Sequence, residues 1–92
     1  MNEIVTADNS AFEIARRKSR YGHSSWLVFR RKDGSYVAAS YSAQAIKAAL
    51  LAGGTQGRFS WYDSTGVAHI CRSWSFGIYL YRCARSIRNL AL

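Results

Sequence analysis

The sequence contains no proline, two cysteines and five acidic residues, and no apolar run approaches membrane length. Most of the seven glycines sit where turns would fall. A span of ~18 apolar residues is the minimum for a crossing helix, and Met1 to Ser10 has no apolar stretch of the kind a secretory leader needs. Membrane insertion and export are therefore not expected, and the reading is a protein of the host cell cytoplasm. In that reducing compartment Cys71 and Cys83 are expected as small core residues rather than a disulfide framework. The scarce acids have local duties. Asp8 and Glu13 fall in a helix start, Asp33 and Asp63 open turns, and Glu3 lies near the terminus. Scattered in this way they offer no carboxylate pair for general acid–base chemistry, and few remain to neutralise cations.

The abundant classes are apolar and basic. Hydrophobic residues make up 49% and aromatics 14%, which is a folding composition, and 92 residues correspond to one domain over 1–92. Thirteen Lys and Arg give a net charge of +8, and ten of the thirteen are arginine. Arginine offers a planar fork of donors that suits phosphate and carboxylate, so a polyanionic partner is expected rather than a small-molecule substrate.

Local patterns predict the elements. Ser10 and Glu13 have capping-box spacing and open a helix running to about Arg20, with Phe12, Ile14 and Ala15 inward and Tyr21-Gly22 as its stop. Ser25–Arg30 and Tyr36–Ala39 are β-formers around Asp33-Gly34, a hairpin. Ser42 caps a helix with Ile46, Ala49 and Leu50 on one face, ended by a left-handed Gly53-Gly54. Arg58–Tyr62 and Val67–Cys71 flank Asp63-Ser64-Thr65-Gly66, a second hairpin. In the C-terminal stretch Trp74, Phe76, Ile78 and Leu80 alternate as in a strand. Phe76, Tyr79, Leu80, Cys83, Ile87 and Leu90 fit the helical period over a longer span, which predicts a helix from Ser75 to Asn89. The expected fold is α+β, ordered α-ββα-ββα, with a small four-stranded antiparallel sheet and helices packed on it. Ser40-Tyr41-Ser42 and Ser73-Trp74-Ser75 precede the last two helices and hint that the ββα units echo each other.

The chemistry-bearing residues point away from catalysis. His69, Cys71, Cys83 and His23 lack the short knuckle spacing of structural zinc sites, so no metal or cofactor is expected. No nucleophile elbow surrounds Cys71 or any serine, and Gly53-Gly54-Thr55-Gln56-Gly57 lacks phosphate-loop spacing; no catalytic residue is expected. The basic residues recur in clusters with aromatics between them. The candidate partner- or nucleic-acid-binding residues are Arg82, Arg85 and Arg88 on the last helix, Arg30, Arg31 and Lys32 at the first hairpin, and Arg16, Arg17 and Arg20 on the first helix. Tyr62 and Tyr81 are expected to be exposed beside them, whereas Trp26, Phe29, Phe59 and Trp61 are expected in the core.

The full 92 residues, from Met1-Asn2-Glu3-Ile4-Val5-Thr6 through Trp26-Leu27-Val28-Phe29-Arg30-Arg31-Lys32-Asp33-Gly34 to the arginine-rich end, resemble the phage anti-CRISPR proteins that inhibit the type I-F RNA-guided surveillance complex. The likeness lies in the whole chain and in no shared motif, so it transfers no residue role. It implies a non-enzymatic inhibitor that binds Cas proteins and guide RNA and blocks target-DNA hybridisation. At +8 the chain cannot be a DNA mimic, and the resemblance then implies an approach to guide RNA or to an acidic protein surface. The alternative expectation is a small basic DNA- or RNA-binding domain of phage or bacterial origin. Trp26 to Gly34 followed by Tyr41-Ser42-Ala43 and a helix also resembles the hairpin-then-helix of AP2-like arm-binding domains of phage integrases, without their third strand.

Overall fold

The computed structural model describes residues 3–53 and 59–91, with residues 86–91 through their backbone alone. In chain order the elements are β1 (Glu3–Thr6), α1 (Ser10–Gly22), β2 (Trp26–Arg30), β3 (Tyr36–Ser40), α2 (Ala43–Ala52), β4 (Phe59–Tyr62), β5 (Ala68–Cys71) and α3 (Trp74–Ala91). The α+β class and the seven elements after β1 follow the expected order, but the sheet has five strands, not four, in the order β1-β3-β2-β4-β5, all antiparallel. The extra strand, Glu-Ile-Val-Thr, is too short to stand out by pattern. It forms because β3 offers it an edge, in the register Glu3↔Ala39 to Thr6↔Tyr36.

Both hairpins close as their turn residues require. Asp33 Oδ1 accepts from the Ser35 amide at 2.9 Å and Asp63 Oδ1 from the Thr65 amide at 2.9 Å. Gly34 and Gly66 supply the positive φ values of 91° and 85° that such turns need. Ser42 caps α2 by accepting from the Ala45 amide at 3.1 Å, and Ser73 does the same for α3 through the Phe76 amide at 3.2 Å. The two serine-aromatic-serine echoes thus cap with different members, the third residue in one and the first in the other. Even so, β2 and β4 meet antiparallel at the middle of the sheet, and each ββα unit places its helix on the same face.

Three local expectations are corrected. The capping box is not made: Asn9 is the N-cap with no side-chain bond, and Glu13 turns away to Arg16 and Arg17. Gly22 lies inside α1, which ends instead at His23 in the left-handed region (φ 51°) with its amide bonded to the Ser19 carbonyl. Gly53 is right-handed at φ −81°, and Gly54 lies outside the described residues.

The helices cover both faces of the sheet. On one face, α1 presents Ala11 and Ala15 to Trp26, Val28, Ala38 and Tyr62. On the other, α2 and α3 pack over Leu27, Phe29, Val37, Ala39, Phe59 and Cys71. Central strands buried on both sides read as continuous apolar runs rather than alternation, which is why Trp26-Leu27-Val28-Phe29 carries no polar break. The inward residues of α1 are Ala11, Ala15 and Ser19, not Phe12 and Ile14, which are half-buried. Small residues let the helix axis approach the sheet, and the larger Phe12 stays at its margin, edge-on to Tyr36 with ring centroids 5.7 Å apart.

Candidate functional site

The basic residues are distributed over three regions by the fold. Arg16, Arg17 and Arg20 lie on α1, over one face of the sheet. Arg82 and Arg85 lie on α3, over the other. Arg30, Arg31 and Lys32 stand at the β2–β3 turn. No single flat surface joins them all. The Arg88 side chain and Arg58 lie outside the described residues.

Some of these cations already have acidic neighbours. Glu13 bonds Arg16 Nη2 at 2.6 Å and Arg17 Nε at 3.0 Å, and the two arginines hold its carboxyl down at about 2. Glu3 receives Arg31 Nη2 at 3.3 Å. So Glu13 and Glu3, the acids expected in a helix start and near the terminus, neutralise candidate arginines instead. These pairs are exposed, and exposed pairs hold weakly enough to be exchanged for a phosphate. Arg30 lies over the Tyr36 ring at 5.6 Å, and Lys18 over the Trp26 ring at 5.5 Å. Arg20, Lys32, Arg82 and Arg85 are exposed and form no ion pair among the described residues.

The two tyrosines chosen from sequence are placed differently. Tyr62 is 9% exposed and sits under α1 with Ala11 and Ala15; burial pushes its phenol above the usual range. Its position beside a turn suggested exposure, but the helix passes over that end of β4. Tyr81 is half-buried against the α2 core. One residue along a helix is a rotation of ~100°, so Tyr81 and Arg82 face different ways.

The exposed aromatics are others. Tyr21 is 77% exposed and lines, with Arg16, Arg17 and Arg20, a depression of about 200 Å³ at the C-terminal end of α1. Trp74, Phe76 and Tyr79 are exposed along α3. The helical period places Phe76 and Tyr79 inward with Leu80; the period holds and Leu80 is buried, but Phe76 and Tyr79 face outward. The buried face of α3 is Gly77, Leu80 and Ala84, because the helix meets α2 through its smallest residue. A glycine inside an aromatic-rich helical run is the sequence signal for that close approach.

A second groove, of about 200 Å³, lies between α2 and α3 and is lined by Lys47, Leu50, Leu51, Trp74, Ile78 and Tyr81. A third, of about 180 Å³, lies beside α1 between Phe12, Tyr36, Arg30, Ser60 and Ile70.

The metal- and nucleophile-bearing residues stay apart. Among the described residues no three of His, Cys, Asp or Glu converge as metal ligands. His69 Nε2 lies 2.9 Å from Asp63 Oδ2, and its ring stacks on Trp61 at 4.2 Å. The His69 and Thr65 contacts hold the Asp63 carboxyl well below the carboxylate range. The Cys71 Sγ donates to the Ser73 carbonyl at 3.3 Å, and burial pushes the thiol up, which disfavours the nucleophilic thiolate. No helix among the described residues is long and apolar enough to cross a membrane.

Compared with protein-family models, curated proteins and solved structures, the chain matches none.

Proposed function

We propose that this chain is a non-enzymatic phage inhibitor that acts in the host cytoplasm by binding a type I-F CRISPR RNA-guided complex. It contacts Cas subunits and guide RNA and blocks hybridisation of target DNA. The target is named by the whole-chain resemblance. The observation that carries the binding reading is the pair Arg82 and Arg85, exposed on a helix that contains no acid. Cations held together without counter-charge repel one another, and a polyanionic partner relieves that repulsion. Tyr21 beside Arg20 adds a second basic surface, on the opposite face of the sheet, where an aromatic ring is free to stack on a base. Two basic surfaces back to back suit a partner that presents RNA and protein together.

The test is titration of the purified chain against a guide-loaded type I-F complex, with labelled target DNA reporting hybridisation. Inhibition is expected at a one-to-one stoichiometry. Each phosphate neutralised on a single strand contributes about −0.7 to the slope of log K against log salt. With four such contacts, affinity falls ~30-fold or more between 50 and 200 mM salt. A flat salt profile overturns the polyanion reading. Tight binding to free RNA or DNA without inhibition of the complex would instead identify a small basic nucleic-acid-binding domain.

A further inference from the structure

The groove between α2 and α3 combines two chemistries on one flank of α3. Trp74, Ile78 and Tyr81 line it from α3, and Leu50 and Leu51 from α2. Arg85 follows Tyr81 by four residues and Ile78 by seven, so it continues the same flank one turn beyond the groove. Lys47 borders the groove from α2, and Arg82 lies on the outer side of this flank. Neither α2 nor α3 contains an acid. Leu51 is 63% exposed and Trp74 39%, so apolar surface that would ordinarily be covered stands open.

We infer that this groove is a docking site for an acidic amphipathic helix of a partner protein. This goes beyond the guide-RNA contact of the proposed function and stands without it. Charge selects the occupant. The groove is bordered by Lys47 and Arg85 with Arg82 near by, and a helix bearing apolar side chains at i, i+3/i+4 and i+7 with glutamates alongside satisfies both parts at once. A second copy of this chain does not, because apposing two such faces sets cation against cation. A membrane is met by a convex stripe, whereas this surface is a trench about the size of one large side chain, suited to a knob from a helix.

The experiment is selection from a displayed library of single-helix peptides. Apolar residues are fixed at i, i+3, i+4 and i+7, and the flanking positions are randomised among Glu, Lys, Gln and Ser. Selection on the wild-type chain is expected to return glutamate-rich flanks. Synthetic copies of the winners should lose at least ~10-fold in affinity for Leu51→Glu and for Arg82→Glu with Arg85→Glu. These positions are exposed, so folding should be retained; circular dichroism checks this, and Trp74→Ala serves as a second groove variant. A labelled single-stranded RNA measured in parallel should bind Leu51→Glu as it binds wild type, so failure of the groove and failure of the RNA reading are told apart. The inference is overturned if no peptide is enriched, if the flanks are not acidic, or if Leu51→Glu binds the peptides normally. It is equally overturned if the wild type sediments as a dimer that Leu51→Glu dissociates, or if it pellets with phosphatidylserine vesicles in a Leu51-dependent way.

Discussion

Gly77 of α3 lies against the Leu50 side chain of α2 so closely that a Cβ at position 77 would overlap Leu50 Cδ2 and touch Cys71 Sγ. This contact sets the distance between the two helices and therefore the depth of the groove beside it. Gly77→Ala gains up to ~1 kcal/mol in helix propensity but overpacks a buried site, which costs about 1–3 kcal/mol. Leu50 is buried, and both its Cδ2 and its Cγ face position 77, so the side chain must shift as a whole toward the groove it lines. The expected net effect is a loss of about 1 kcal/mol, a fall in Tm of about 4–8 °C for a domain of this size. Gly77→Ala combined with Leu50→Ala should be less destabilised than the sum of the two single variants. Additive losses in a double-mutant cycle of thermal melts would show that the two residues do not press on each other.

Arg82→Ala with Arg85→Ala should leave the melting curve almost unchanged, since both side chains are exposed and exposed substitutions shift stability by about 0.5 kcal/mol or less. Partner binding should weaken by ~2 kcal/mol or more, the scale of interface hot spots. A melt run beside a binding titration separates the outcomes. Early melting means the stripe is structural, and normal binding means the partner uses another face.

Tyr62 and Tyr21 should behave as opposites. Tyr62→Ala removes a buried ring from beneath α1 and should cost about 3 kcal/mol or more of stability. Tyr21→Ala should melt like wild type and weaken RNA binding by about 1–3 kcal/mol, the value of one stacked base. If Tyr21→Ala binds RNA at full strength, the depression on α1 is not a stacking site.

Acid should loosen the second hairpin through Asp63. Its carboxyl is held below the ordinary range by His69 first and Thr65 next. A depressed folded-state pKa contributes stability that is complete above the unfolded value, ~3.9, and is lost as pH falls toward the folded value. Glu13 adds a loss of the same sign, running down through about 2. Denaturant titrations of wild type between pH 6 and pH 2 should therefore show falling stability. Asp63→Asn should start lower and fall less steeply. Parallel slopes for the two proteins would remove Asp63 from the account.

Where the sequence and the structure agree, the controlling interactions span only a few residues. Asp33 and Ser35, Asp63 and Thr65, and Ser42 and Ala45 are two or three residues apart. Their bonds form whatever surrounds them, so both hairpins and the start of α2 were legible. The candidate site was legible in composition but not in arrangement. Arg82 and Arg85 of α3 are exposed as expected, whereas Arg31 is neutralised by Glu3 from 28 positions away, a pairing that no local pattern encodes.

By itself, the sequence determined the charge, the helical period of the C-terminal stretch, the turns and the expectation of an α+β chain. Those follow from side-chain ionisation and from torsions and hydrogen bonds within a few residues. Only the tertiary structure decided that Glu3–Thr6 is a strand, that Tyr62 is covered, that α3 turns Gly77 rather than Tyr79 inward, and that the basic clusters stand on opposite faces of the sheet. Each of these depends on which surface a residue meets. A four-residue strand needs a neighbour's free edge, and a helix buries the face that lets its axis come closest, so neither choice is contained in the segment that makes it.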